Sequence, residues 1–480
     1  MPESLSPEIC VIGGGPAGLA AALAAADEGV SVVLVEKGAL GGAGLASGSV
    51  PCKALLAAAE VNELLRRGPA MGVTGAPLQV NFPKVREHLA AVGAAIAANF
   101  TAERLAARGI TVVSGAARFT DRDTAVAGET AIRARRFILA VGAEPSPPPI
   151  PGLDGVDFMT PASAFELSRK LTHLIVLGAG REGLELAQAF NRLGVDTTVL
   201  DRDAALPDAD PELVAIVVDR LRAEGIRVRA GVDIVSVGRR RGGVRFTLAH
   251  PEGDAAAIDG SHLLLASGRK PAVDGLDLAI AGIAVEATGI VVDRHLRTGN
   301  RRVYAIGDAV AGPAGAARGE AQARQVVRSI LFRLPLSDRS AEAPYVVFTD
   351  PALATVGLGE ADARQRHGAG VRVLRFPFAQ NDRAQIERMP AGMIKVVVDP
   401  RGRVLGAGIV GHDAGEMLAL WSLVVARRLP ISALADLPAP YLTRSEISRR
   451  VAAGMSERQG RPGLTATWRR RIIDMLSKLG

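Results

Sequence analysis

Cysteine is nearly absent: Cys10 and Cys52 are the only two in 480 residues. Together with the lack of an export signal, this argues against a disulfide-stapled secreted fold and sets the expectation of a reducing, cytoplasmic location. Aromatic residues are also scarce, at 4% of the chain, while hydrophobic residues reach 48% and glycine occurs 54 times. A core so aliphatic and glycine-rich suits an α/β enzyme better than an all-β or disordered chain. The longest uncharged run, Ile9 to Ala26, has the length of a membrane span. Glycines and Pro16 interrupt it, so it reads as a phosphate-binding turn and neither as a membrane helix nor as a signal peptide. Acidic residues are outnumbered, leaving a formal charge of +7. The arginines cluster in only two places, Arg239 to Arg241 and Arg469 to Arg471, so no nucleic-acid partner is expected. The first cluster precedes Gly242 and Gly243 between two strand-like runs and reads as a hairpin turn.

What is present is a repeated motif. EICVIGGGPAGLAAALAAADEGVSVVLVEK reads as strand, glycine turn, alanine-rich helix and strand. Gly13, Gly15 and Gly18 form G-x-G-x-x-G, in which glycine permits the tight turn, the approach of backbone to a pyrophosphate and close helix packing. The helix N-terminus offers free amides and partial positive charge to phosphates, and Glu36 ends the next strand, where it can accept hydrogen bonds from a ribose. The same pattern returns as HLIVLGAGREGLELAQAFNRLGVDTTVLDR, with Gly178, Gly180 and Gly183 and with Asp201 as the closing acid. Two such units imply two dinucleotides. Between them AEPSPPPIPG, Ala143 to Gly152, cannot lie inside a helix or a central strand and marks a boundary. RRVYAIGDAVA reads as a short strand ending in Gly-Asp. From about Ala343 the pattern changes to short β runs and a helix through Glu416 and Trp421, a third α/β domain.

In this order the motifs resemble those of the flavoprotein disulfide reductases, such as dihydrolipoamide dehydrogenase and mercuric reductase, from about Glu8 to Ala453. The resemblance implies an α/β fold of two Rossmann-like dinucleotide-binding domains with a C-terminal dimerisation domain, and a homodimer. It divides the chain into an FAD-binding part (1–150), an NAD(P)-binding part (151–272), the remainder of the FAD domain (273–338), the dimerisation domain (339–455) and a basic tail (456–480). The first glycine unit then holds FAD and the second NAD(P)H, and Asp308 is the acid offered to the flavin ribityl chain. Lys37, Gly42, Gly142 and Gly268 join the cofactor-binding set. Lys53 matches the lysine beside flavin N5 and Glu185 the glutamate that pairs with it, a cation that steadies negative charge on reduced flavin and a carboxylate that offsets its desolvation.

The departures from the family pattern concern the partner chemistry. The family's active-site segment runs G-G-T-C-L-N-V-G-C-I-P-S-K, and here it reads GGAGLASGSVPCK, with Gly44 and Ser49 in place of the two cysteines. Disulfide exchange needs a thiolate and a resolving thiol within bonding reach, and soft-metal capture needs a thiolate pair, so no metal site is expected. Cys52, at the family's serine, is either a lone thiol made acidic by a helix N-terminus or a small buried side chain; it is retained among the catalytic candidates. Cys10 alternates into the first strand as a core residue. Where the family ends in His-Pro-Thr, this chain has YLTRSE: Tyr441 replaces the histidine and Glu446 remains. A phenol, with a pKa of about 10, cannot serve as the base but can donate to a substrate oxygen. In the nicotinamide gate Arg181 and Glu182 replace a tyrosine and an isoleucine, and they either pair with each other, bind an acidic substrate or close the pocket. Asp201 favours NADH, and the adjacent Arg202 leaves NADPH open.

The tail, Thr465 to Gly480, spaces Trp468, Ile472, Met475, Leu476 and Leu479 at helical intervals among basic residues. It is expected either to lie on an anionic membrane surface, placing the protein at the inner face, or to pack on the protein body or a partner. Two functional readings result. One is an FAD-dependent NAD(P)H oxidoreductase passing electrons to a non-disulfide small-molecule acceptor, with a quinone as candidate. The other is a flavin- and nucleotide-binding scaffold or sensor with little turnover; mercuric or dihydrolipoamide reductase activity is disfavoured by the missing thiols.

Overall fold

The computed structural model describes residues 4–75, 79–249, 256–312, 315–335, 343–458 and 464–478. They form two compact units: Met1–Asp208 with Val218–Thr349, and Ala209–Val217 with Asp350–Gly480.

In the first unit β1 (Ile9–Ile12), α1 (Pro16–Asp27) and β2 (Val32–Glu36) realise the opening motif. Two helices follow, the short α2 (Gly42–Ala46) and the long α3 (Ser49–Arg67), and the chain re-enters the sheet as β3 (Ile110–Ser114) and β4 (Arg136–Leu139). The second motif is β5 (His173–Leu177), α4 (Arg181–Arg192) and β6 (Asp196–Leu200), joined by β7 (Arg227–Arg229) and β8 (His262–Leu265). The last elements are β9 (Val303–Ala305) and α5 (Ala316–Phe332). One parallel sheet runs β9-β4-β1-β2-β3 and another β7-β6-β5-β8.

The continuous apolar runs follow from burial on both faces of a parallel sheet. Cys10, Val33 and Phe137 stand in register and face a core containing Phe119 and Val303, which places Cys10 where the alternation put it. On the other face Val11, Leu34 and Ile138 meet the alanines of α1 and Val326 of α5. A β-carbon on Gly319 of α5 would lie 2.8 Å from the Ala17 side chain and 3.3 Å from Gly307 Cα. That contact brings Gly307 and Asp308, just past β9, up to the first glycine turn. The hairpin at the arginine cluster is also present: Arg240 pairs with Gly243, and Gly242 has φ +80° in the turn.

The second unit is built on the antiparallel strands β10 (Ala352–Gly357), β11 (Arg372–Pro377), β12 (Met393–Val398) and β13 (Val404–Gly411), in the order β10-β13-β12-β11. Its helices include α6 (Ala414–Ala426), α7 (Glu446–Arg458) and α8 (Leu464–Leu476). Trp421 of α6 is fully buried and donates to Ser448 Oγ at 3.1 Å. Ala209–Val217 was assigned from sequence to the nucleotide-binding region but clusters here. Its anchor is electrostatic: buried Lys395 on β12 bonds Asp210 at 2.7 Å, Glu212 at 2.8 Å and Glu360 at 2.9 Å.

Candidate active site and cofactor cradles

The two glycine turns share one geometry. Gly13 turns the chain at φ +107°, where a β-carbon would lie 2.4 Å from Ala140 O; Gly178 does the same at φ +122°, 2.7 Å from Ala266 O. A β-carbon on Gly18 or Gly183 would fall 1.8 or 1.9 Å from the carbonyl of Gly13 or Gly178, so both helices press directly on their turns. The middle glycines are different. Gly15 and Gly180 have ordinary φ values of −75° and −76°, and a β-carbon on either would meet nothing within 4 Å. The chain's own packing does not require glycine there, whereas clearance for a group lying over the helix N-terminus does. No side chain caps either N-terminus. The residues present therefore fit two pyrophosphates.

Each turn is braced by its acid. Glu36 accepts from Gly14 N at 2.5 Å and Gly38 N at 2.7 Å; Asp201 accepts from Ala179 N at 2.5 Å and Asp203 N at 3.0 Å. Arg202 turns to Ile234 O at 2.8 Å, and Lys37 follows Glu36 as an exposed cation. Gly42, at φ +61°, brings α2 over the first turn, where a β-carbon would lie 2.8 Å from Gly15 Cα. Asp308 accepts from Gly315 N at 3.0 Å. Gly142 and Gly268, at φ +71° and +75°, begin two segments that pair as strands, Ala143–Pro145 with Arg269–Pro271.

Lys53, Cys52 and Glu185, taken from α3 and α4, come together. Glu185 is 1% exposed, and its Oε2 accepts from Lys53 Nζ at 2.5 Å and Cys52 Sγ at 3.3 Å. Its Oε1 accepts from Phe348 N at 2.8 Å, and the Phe348 ring lies 4.7 Å from the Lys53 ammonium. Of the two readings of Cys52, the structure has the buried side chain. The side chain is buried, and burial, reinforced by the Glu185 carboxylate, pushes its thiol well above the usual range. Cys52 is thus a protonated donor to Glu185 and no thiolate.

At the gate, the Arg181 guanidinium lies 5.2 Å from the Tyr345 ring centre. Burial raises the Glu182 carboxyl, opposed by Arg269 and Arg181. Phe348 and Tyr345 were missed from sequence because their stretch read only as the opening of the third domain. A phenylalanine and a tyrosine flanking that domain's first β run were the available signal.

Tyr441 and Glu446 lie in the second unit. Tyr441 is 69% exposed and donates to Asp382 Oδ2 at 3.0 Å, and that bond raises the phenol above its usual range. Glu446, buried at the start of α7, accepts through one oxygen from Arg449 at 2.9 Å and Arg450 at 3.1 Å.

Comparison with known proteins extends this geometry. Residues 7–325 match the family model described as pyridine nucleotide-disulphide oxidoreductase, and residues 343–452 match the dimerisation domain of the same family. A mercuric reductase of Streptomyces lividans is 33% identical over 449 residues, 92% of this chain and 94% of that protein. Dihydrolipoyl dehydrogenase 3 of Pseudomonas aeruginosa is 32% identical over 465 residues, 93% and 97% of the two chains. Among solved structures, LpdA from Mycobacterium tuberculosis superimposes with a TM-score of 0.84 at 27% identity, covering 94% of this chain and 99% of the other. The chain belongs to the pyridine nucleotide-disulphide oxidoreductase family, flavoproteins that use FAD and NAD(P)H.

Proposed function

We propose that the protein passes electrons from NAD(P)H, through FAD, directly to a non-disulfide small-molecule acceptor, and that a quinone is the acceptor class. The observation that carries this reading is the intact Lys53–Glu185–Phe348 cluster in a chain whose nearest thiol, Cys52, is buried and protonated. FAD, which the turn of Gly13, Gly15 and Gly18 together with Asp308 would hold, would supply the two-electron chemistry by which NAD(P)H, a quinone and one proton give NAD(P)⁺ and the quinol. The protein's part is positional and electrostatic. Glu185 keeps the Lys53 cation fixed, and the Phe348 ring covers one side of it. Gly44, with no side chain, and Ser49, with a small one, stand where the family pattern has its two cysteines. Tyr441, whose single O–H is donated to Asp382, is assigned as hydrogen-bond donor to an acceptor oxygen once it turns away from that carboxylate. The match to the dimerisation domain supports a homodimer. Asp201 supports NADH, since an acid at that position repels a 2′-phosphate and Arg202 is engaged elsewhere. A cytoplasmic location completes the reading.

Anaerobic rapid mixing tests it: the flavin absorbance should bleach with NADH and return with a small quinone, but not with lipoamide. The Arg181–Tyr345 stack favours a second reading, in which the gate stays covered and the protein is a flavin-binding sensor or scaffold. Steady quinone turnover well above that of free flavin would remove it.

A further inference from the structure

The C-terminal helix α8 has an apolar face that nothing described in the chain covers. Trp468 is 66% exposed, Met475 and Leu476 each 58%, and Ile472 39%. Ile473 is 63% exposed as well, and at about 100° per residue the five share an arc of roughly 160°. The first charged residues beyond its two edges are Arg470 and Arg471, while Asp474, Ser477 and Lys478 share the remaining sector. Leu479, expected on the same face, lies outside the described residues. At 13 residues the helix is about 20 Å long, and no helix among the described residues is long and apolar enough to cross a membrane.

We infer that α8 lies flat on an anionic lipid surface, with Trp468, Ile472, Ile473, Met475 and Leu476 on the inserted face and Arg470 and Arg471 at the level of the headgroups. Charge complementarity singles out this occupant. A helix seated in a protein groove needs an apolar stripe alone, whereas cations on both borders of the stripe match a plane of negative headgroups. Tryptophan, apolar in body with a polar N–H, suits the boundary between headgroups and acyl chains. A second copy of the helix would set each edge arginine against like charge. The inference holds whatever acceptor the flavin site serves.

The test uses the full-length, FAD-loaded protein and vesicles of phosphatidylglycerol with phosphatidylcholine, against phosphatidylcholine alone. The chain has two tryptophans, and Trp421 is fully buried, so a change of emission reports Trp468. Emission should shift to the blue only with the anionic vesicles, and high salt should reverse it. Arg471→Gln should weaken binding about fivefold, the equivalent of about 1 kcal/mol per basic residue at such a surface. Leu476→Glu should abolish it, with FAD content and visible spectrum unchanged as the check on folding. Equal binding to both vesicle types, no binding by the wild-type protein, unchanged binding by Leu476→Glu, or a loss of oligomeric state in that variant would each overturn the inference.

Discussion

Replacing Lys53 by methionine and Glu185 by leucine, singly and together, probes the cluster on which the site depends. Lys53→Met leaves a carboxylate that is 1% exposed with only the Phe348 amide and the Cys52 thiol as donors. Breaking a buried pair in this way costs about 3–5 kcal/mol, and a value of about 4 kcal/mol is expected here. Glu185→Leu leaves an ammonium whose side chain is 30% exposed, so solvent recovers part of the loss and about 3 kcal/mol is expected. The double variant buries no unpaired charge and leaves mainly the Phe348 amide unpaired. Its loss should stay near about 2 kcal/mol, well short of the sum of about 7 kcal/mol for independent sites. Urea unfolding of the four proteins, followed by circular dichroism, measures the cycle. Losses that add to within about 0.5 kcal/mol would refute the coupling and with it the central place of this pair.

Gly15→Ala and Gly180→Ala should leave the fold intact yet sharply lower flavin retention and nicotinamide binding respectively, because only a ligand needs the space. Gly18→Ala should fail to fold, since its β-carbon would lie 1.8 Å from Gly13 O; an FAD-replete Gly15→Ala protein would contradict the assignment. Cys52 should resist thiol reagents in the native protein, and Cys52→Ser, which keeps a donor to Glu185, should retain stability to within about 1 kcal/mol. Rapid modification of one thiol per folded chain would show the environment to be misread. Glu212 is held down to about 2, chiefly by the Arg375 hydrogen bond and then by Lys395. A depressed carboxyl stabilises above its unfolded pKa of about 4.3 and loses that contribution as pH falls toward about 2. Glu212→Gln should therefore lower the thermal midpoint at neutral pH and converge with the wild-type protein near the acid limit. A difference independent of pH would refute this.

Backbone-dictated features were legible in the sequence. Both glycine turns, their closing acids and the hairpin at Gly242 follow from local conformational demands that glycine and acid spacing advertise. The Lys53–Glu185 pair was reachable only through family resemblance, because 132 residues separate its members. What stayed hidden depends on burial and on side-chain direction. Cys52 sits at a helix start that would ordinarily favour a thiolate, yet desolvation and Glu185 reverse that tendency. Arg202 leaves NADPH open in the sequence, and its direction toward the Ile234 carbonyl is not encoded locally. The sequence leaves Arg181 as a partner of Glu182, a site for an acidic substrate or a cover for the pocket, and its guanidinium lies over Tyr345. Ala209–Val217 clusters with the second unit, where Lys395 and Arg375 hold Asp210 and Glu212, contacts that no local pattern encodes.

Anaerobic stopped-flow with FAD-loaded protein bears most directly on the proposed electron path. The absorbance of oxidised flavin should fall on mixing with NADH and recover on mixing with a small quinone, at rates unchanged in Cys52→Ser. Flavin that never bleaches with either nicotinamide, or that is reoxidised by lipoamide in a manner abolished by Cys52→Ser, would contradict the account.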